Sequence, residues 1–435
     1  MACVIAAPAS GSGKTLLSLC LIAWARRHGH SIQPFKVGPD YLDPQLLSLT
    51  ATQSCRNLDL PLCGADWLQL SFCGYGGSSE MALVEGVMGL FDGIGASSEG
   101  STADVAKLLK LPVVLVVDAG GQARSLAAVV RGFRDLDPDL QLAGVVLNRV
   151  NSPRHRQLLE EVLSDIGVQC LGCLPRDPSL ELPSRHLGLA PAHELRALQI
   201  RQGRWASLAA QHLNMSLFRK LLQAPNPGPD PIHTVFSPVL ETTKPEHPLP
   251  VAVAQDEAFH FRYPEMQECL DRLNMPVLPW SPLRDEPPPE QACGLILPGG
   301  FPELQAENLS RCRRMLSALH KWIQHKPIYA ECGGMLLLGE RLADPDGHFH
   351  PMAGLLPFDA RRGRLQVGYR QLEACSDSLL LLRGERIRGH EFHRWQLSRE
   401  CDQGVGGEGA LWQVEGWNVE RRAEGWKAPN LHASW

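Results

Sequence analysis

No stretch of this sequence approaches the roughly 20 consecutive apolar residues needed to cross a bilayer, so no membrane span is predicted. Nor is there an excess of positive charge: the formal net charge of −5 lacks the basic face that nucleic-acid phosphates favour. A strand pattern starts at Val4, which leaves no room for a cleaved signal peptide. An even cysteine count is also missing. The thirteen cysteines, with Cys20 and Cys269 in apolar runs, read as buried thiols of a reducing compartment and predict a soluble, cytoplasmic protein. Cys170 and Cys173 form one C-x-x-C, but no second pair follows at zinc-like spacing, so metal or redox work is not expected of them.

Hydrophobic content of 44% and charged content of 20% are those of an ordinary globular protein. At 435 residues the chain exceeds what one core organises, and two domains are expected. The most informative stretch is Pro8-Ala9-Ser10-Gly11-Ser12-Gly13-Lys14-Thr15. It follows the apolar run Val4–Ala7 and precedes the helical pattern Leu16–Ala23, the strand–turn–helix context of a phosphate loop. Backbone N–H groups of Gly11, Ser12 and Gly13 would cradle ATP phosphates, Lys14 would reach the β and γ phosphates, and Thr15 would ligate Mg²⁺. Pro8 replaces the first glycine of the usual pattern.

Further buried strands are read at Ser31–Val37, Met81–Val84, Pro112–Val117, Leu142–Leu147 and Val168–Leu174, with a helix over Ser125–Phe133 between them. Near-continuous Val/Leu runs alternating with helices indicate a parallel sheet covered on both faces. Ligands of such sheets collect at strand carboxyl ends. That puts Glu85 in position for Mg²⁺ and faces Asp92 to the same crevice. Asp40 and Asp43, in Gly38-Pro39-Asp40-Tyr41-Leu42-Asp43-Pro44, either hold metal or substrate or merely shape a turn. Asn148 at a strand end suits the nucleotide base or an ordinary turn. A helical segment follows from about Pro191 to Leu222, and proline-rich stretches at 224–231 and 244–250 mark a linker. The expected boundaries are 1–195 for the phosphate-loop domain, 196–249 for helical segment and linker, and 250–435 for the second domain.

The second half starts a new α/β pattern at Val251–Ala254. Strand Gly294–Leu297 ends in Pro298-Gly299-Gly300, and strand Pro327–Ala330 leads to Glu331-Cys332-Gly333-Gly334 at the start of a helix. A cysteine on a sharp strand-to-helix turn is a candidate nucleophile. The helix N-terminus would favour its thiolate, and the N–H groups of Gly333 and Gly300 would face an oxyanion.

Leu297-Pro298-Gly299-Gly300 with Ala330-Glu331-Cys332-Gly333-Gly334 resembles a triad-type (class I) glutamine amidotransferase. The phosphate loop from Ala7, Val37–Pro44, Glu85–Gly93 and Gly389-His390-Glu391-Phe392-His393 resemble the cobyrinic acid a,c-diamide synthase family along essentially the whole chain. The resemblance implies an α/β fold with two domains. One is a phosphate-loop, dethiobiotin-synthetase-like parallel-sheet domain, and the other is the amidotransferase domain. It implies a ligase that uses ATP, Mg²⁺ and L-glutamine to amidate the a and c acetates of cobyrinic acid in cobalamin biosynthesis. The corrinoid would be its partner, with no nucleic acid and no membrane, and a homodimer is an open option. Asp40, Tyr41, Leu42, Asp43 and Asp92 are carried over as residues placing substrate or metal. Hydrogenobyrinic acid a,c-diamide synthase, cobyric acid synthase and a partitioning-type ATPase switch stand as alternatives. The last needs a lysine where this chain has Ala9.

The family's catalytic histidine belongs to an Ala-Ser-aromatic-Leu-His segment, whose start is matched by Ala433-Ser434-Trp435. The histidine position lies two residues past Trp435. Truncation, impaired glutamine hydrolysis or substitution by His432 are the options, and His432 is the named candidate base. His393 is the weaker stand-in, and His348 and His350 read as solvated loop residues.

Overall fold

The computed structural model describes residues 2–177, 184–185, 188–189, 198–399, 401 and 410–435. The chain divides into two units, Met1–Val235 and Phe236–Trp435.

The first unit is built on β1 (Cys3–Ala6), β2 (Ile32–Val37), β3 (Arg56–Leu58), β4 (Met81–Glu85), β5 (Val113–Asp118), β6 (Leu142–Val150) and β7 (Cys170–Pro175). Their order is β3-β2-β4-β1-β5-β6-β7, and every neighbouring pair is parallel. The strands read as unbroken apolar runs because both faces are covered. Cys3, Ile5 and Ala7 enter one core cluster, while Ala2, Val4 and Ala6 enter the other. The first cluster is closed by α1 (Lys14–Arg27) and α2 (Leu42–Ala51), and the second by α3 (Leu60–Gly76), α4 (Thr102–Leu108), α5 (Ser125–Asp135) and α6 (Pro153–Asp165). Because β1 lies between β4 and β5, the chain leaves it on one side and later returns on the other. The crevice at its carboxyl end is the switch point where such sheets bind ligands.

Two expectations are corrected here. The helical segment expected from 191 is described from 198 onward as α7 (Leu198–His212) and α8 (Met215–Leu221); residues 191–197 lie outside the described residues. Asn214 separates these helices and caps α8 by accepting the Leu217 N–H. Trp205 and Phe218 are completely buried in the core that contains Leu17 and Leu21 of α1. This segment is therefore part of the first unit and not of a connector. The second correction concerns the stretch between the proline-rich runs, which forms α9 (Pro231–Thr243), with the unit boundary inside it. Its first proline suits a helix start, and Pro238 within it is what masked the helix in the sequence. A two-residue hairpin, β8 (Ser184–Arg185) with β9 (Gly188–Leu189), precedes α7.

The second unit carries β10 (Val251–Ala254), β11 (Phe259–Phe261), β12 (Val277–Trp280), β13 (Gly294–Leu297), β14 (Gly299–Gly300), β15 (Ile328–Glu331), β16 (Arg341–Ala343) and β17 (Phe349–Pro351). Five more strands follow: β18 (Asp359–Ala374), β19 (Arg386–Leu397), β20 (Ala410–Gly416), β21 (Val419–Ala428) and β22 (Leu431–Ser434). Strands β12-β10-β13-β15-β22 run parallel, and β21, β20 and β18 continue the same sheet antiparallel. Helices α10 (Pro264–Arg272), α11 (Ala306–Arg311), α12 (Arg313–Trp322) and the six-residue α13 (Gly333–Leu338) complete the unit. Among the described residues, no helix is long and apolar enough to cross a membrane.

Candidate active sites

In the first unit the phosphate loop leaves β1 and enters α1 at Gly13, whose φ of 114° only glycine adopts without strain. A Cβ there would also lie 2.3 Å from Asn148 Nδ2. Lys14 is 8% exposed, and its ammonium donates to the carbonyls of Met88 at 2.5 Å and Ala9 at 3.4 Å. Burial first, and then the charge of Lys36, lower its pKa to about 8. The Thr15 hydroxyl donates to Glu85 Oε1 at 2.9 Å. Glu85 ends β4 fully buried, and its second oxygen, Oε2, has no hydrogen-bond partner among the described residues.

Lys36, on the neighbouring strand β2, is a buried charge at this site that the sequence motifs do not mark. Its Cα pairs with Glu85 across the β2–β4 ladder. Its ammonium, 2% exposed, lies 2.9 Å from Glu85 Oε1, 2.5 Å from Asp43 Oδ2 and 3.6 Å from Asp40 Oδ2. Burial alone would discharge a lysine, but Asp43, Glu85 and Asp40 outweigh it and hold the pKa well above the ordinary value. Burial works against Asp43 as well, yet Lys36 keeps its carboxyl below the usual range. Asp40 goes the other way: burial and then the Asp43 charge push it up to about 7. A charged residue flanked by Pro34, Phe35 and Val37 in a strand was the available signal.

The remaining predicted residues divide by role. Asp40 Oδ1 accepts the Leu42 N–H at 2.8 Å and the Asp43 N–H at 3.2 Å, so this aspartate shapes the turn and faces Lys36 at once. Tyr41 precedes α2, and Leu42 turns into the core at 6% exposure. Asp92 is exposed, accepts the Gly89 N–H at 2.7 Å and contributes to the field at Lys14. For Asn148 the sequence left open a base reader or an ordinary turn residue. Its Nδ2 donates to Ser12 O at 2.9 Å, bracing the loop from β6, while its Oδ1 accepts the N–H of its own neighbour Arg149.

In the second unit Cys332 stands between β15 and α13 with φ 44° and ψ −106°, the sharp elbow expected of a nucleophile. Its N–H donates to Ser434 O at 2.8 Å, tying the elbow to β22. Gly300 N lies 3.0 Å from where a Gly333 Cβ would be, and a Gly299 Cβ would lie 3.7 Å from Cys332 Cβ. The two predicted oxyanion N–H groups are thus neighbours beside the thiol. The expected thiolate stabilisation is not what the site shows at rest. Enclosure and then Glu303 push the thiol up to about 12, against the Gly333 N–H, and α13 is too short to offset them. Cys332 rests protonated and requires a base.

The structure does not bring His432 to that role. On β22 it pairs with Tyr329, three residues before Cys332, which is roughly 10 Å along the strand. Its ring lies 5.3 Å from Tyr329 and 5.0 Å from Trp412, Nδ1 is unpartnered among the described residues, and burial lowers its pKa to about 4. His393 is occupied as well. Nε2 meets Glu391 Oε1 at 2.9 Å, Nδ1 accepts the Trp395 N–H at 3.2 Å, and the ring stacks on Trp435 at 3.6 Å. Glu391 also accepts from Arg370 at 2.7 Å and Arg422 at 2.6 Å. Burial opposes its charge, but His393, Arg422 and Arg370 prevail and hold its carboxyl at about 2. Glu391 and His393 thus form a hydrogen-bonded cluster beside Trp435. Among the described residues, no histidine hydrogen-bonds the Cys332 thiol. His350 bonds Asp344 at 2.9 Å, and His348 is exposed.

Residues 3–189 match the CobQ/CobB/MinD/ParA nucleotide binding domain, and residues 250–434 match the CobB/CobQ-like glutamine amidotransferase domain. Over its full length the chain is 41% identical to cobyrinate a,c-diamide synthase of Gloeobacter violaceus, covering 93% of that protein. It is 38% identical to the enzyme of the same name from Synechococcus, covering 100% of this chain and 94% of that one. With hydrogenobyrinate a,c-diamide synthase of Streptomyces coelicolor it shares 40% identity over 99% of this chain and 93% of the relative. The two matched domains and this full-length similarity establish that the chain belongs to the cobyrinate and hydrogenobyrinate a,c-diamide synthase family.

Proposed function

We propose that this protein is a carbon–nitrogen ligase that converts the a and c acetate carboxylates of cobyrinic acid to amides at the expense of ATP and glutamine. The observation that carries this reading is the presence in one chain of a phosphate loop facing a buried Lys36–Glu85–Asp43 set and of a strained cysteine elbow flanked by two glycine N–H groups. The first is suited to activating a carboxylate with phosphate, the second to releasing ammonia from an amide.

Cys332 would attack the glutamine side-chain amide, with Gly333 and Gly300 donating to the oxyanion. Ammonia leaves, and water hydrolyses the thioester. In the other unit Gly11, Ser12, Gly13 and Lys14 would hold the ATP phosphates while Lys36 and Lys14 offset charge as the substrate carboxylate takes the γ phosphate; ammonia would then attack that acyl phosphate, forming the C–N bond as inorganic phosphate leaves. Asp40, Tyr41, Asp43 and Asp92 border this crevice and would position substrate, with Leu42 fixing the turn from behind. The fully buried Oε2 of Glu85, unpartnered among the described residues while Oε1 accepts from the Thr15 hydroxyl, fits Mg²⁺, which when bound would neutralise phosphate charge. The thirteen cysteines are all free thiols, in keeping with a cytoplasmic enzyme.

Hydrogenobyrinic acid is the second reading, because the relative named for it is 40% identical where the relative named for cobyrinate is 41%. The test is mass spectrometry of each corrinoid incubated with the protein, glutamine and Mg-ATP. Two successive carboxylate-to-amide mass shifts on one corrinoid support the proposal. A single shift, or none with either corrinoid, overturns it.

A further inference from the structure

The edge strand β7 carries two cysteines that amidation does not use. Residues three apart on a regular strand face opposite sides of the sheet, yet the sulfurs of Cys170 and Cys173 are only 3.8 Å apart. The register of β7 against β6 slips between Val145 and Val146, and this bulge turns both thiols to one side. Helix α6 is started by Pro153 and by Ser152, whose hydroxyl accepts the His155 N–H. It brings Glu160 to the same place: Cys173 Sγ lies 3.8 Å from Glu160 Oε1. One ligand atom from each of the three residues lies within 4.8 Å of the others. Zn–S bonds of about 2.3 Å in a tetrahedron space two sulfurs about 3.8 Å apart, and a Zn–O bond of about 2.0 Å gives an S–O edge of about 3.5 Å. The sulfur–sulfur separation already has this value, and the Cys173–Glu160 separation of 3.8 Å exceeds its edge by only about 0.3 Å.

We propose that Cys170, Cys173 and Glu160 bind a zinc ion that pins the edge strand β7 to α6, with solvent water at the remaining position. As the two sulfur–metal bonds form, the thiol protons pass to solvent, and nothing is oxidised or reduced. Two thiolates and one carboxylate leave a single negative charge around the dication. Arg156, whose Nε donates to Glu160 Oε1 at 2.8 Å, offsets that charge and orients the carboxylate. Strands β5 and β6 separate β7 from β1, so this ion is structural and takes no part in phosphate chemistry.

The full chain, expressed with zinc and gel-filtered, is analysed by elemental mass spectrometry beside a C170S/C173S variant and a C293S control at an exposed cysteine. Stoichiometric zinc in the wild type and control, lost in the double variant, is expected. Cobalt reconstitution should give thiolate charge-transfer absorption in the same two proteins. Should the double variant fail to fold, Glu160→Gln keeps both thiols and is expected to weaken zinc retention about 10- to 100-fold. Wild-type protein that stays metal-free in excess zinc, a Cys170–Cys173 disulfide in the peptide map, or unchanged zinc affinity in Glu160→Gln would each overturn the site.

Discussion

Lys36 and Glu85 lie opposite each other on paired strands, the ammonium 2.9 Å from Oε1, with the lysine 2% and the glutamate 0% exposed. Two charges this deep are retained at a desolvation cost that only full pairing offsets. Here Asp43 supplies a further contact from the α2 turn, and Thr15 links the pair to the phosphate loop.

Lys36→Met leaves Glu85, Asp43 and Asp40 facing one another without their cation. A loss of about 3–5 kcal/mol in stability is expected, with amidation from free ammonium reduced on the order of 10²- to 10³-fold. Chemical denaturation and ammonium-dependent turnover measure the two separately. Near-wild-type turnover would make the lysine purely structural.

Glu85→Gln keeps the shape but removes the charge that Thr15 and Lys36 address. Turnover should fall roughly 100-fold with glutamine and with ammonium alike, together with a higher Mg²⁺ requirement. Selective loss with glutamine only would count against a metal role.

Cys332→Ser should abolish glutamine-supported amidation, a drop on the order of 10³-fold or more, while ammonium-supported amidation persists. Because the thiol sits at about 12, glutaminase activity in the wild type should track a separate basic group and not free thiolate. Retained glutamine use in the serine variant would remove Cys332 from the reaction.

Asp40 predicts a pH signature. Its carboxyl is raised to about 7 in the folded chain, so it holds a proton there after the unfolded chain has released one. The stability it contributes is full below about pH 3.9 and is lost as pH rises through 7. Asp40→Asn retains the acceptor for Leu42 and Asp43 N–H. Relative to wild type, its Tm should rise by several degrees between about pH 5 and about pH 8. A pH-independent difference would refute the assignment.

Trp205→Ala tests the reassigned helices. Emptying a fully buried site beside α1 should destabilise the first unit by about 3–5 kcal/mol. An effect below about 1 kcal/mol would return this segment to a connector.

Much of this was legible because it is local. The phosphate loop, the elbow at Cys332 and the apolar strands are contiguous stretches whose backbone conformation their own residues dictate, and all form where the sequence places them. The relationships that could not be read there depend on what lies alongside. Lys36 reads as one residue of a strand until β2 pairs with β4, forty-nine positions on, and sets Glu85 beside it. Asn148 looks available until β6 delivers its amide to Ser12. His432 is close to Ser434 in sequence but level with Tyr329, because parallel pairing of β22 with β15 fixes its height along the sheet. The sequence alone determined the two chemistries, through turns that only those residues adopt. Tertiary structure decided which charges meet and at what height along the sheet His432 lies, because strand register and burial are properties of the packed sheet and not of any segment.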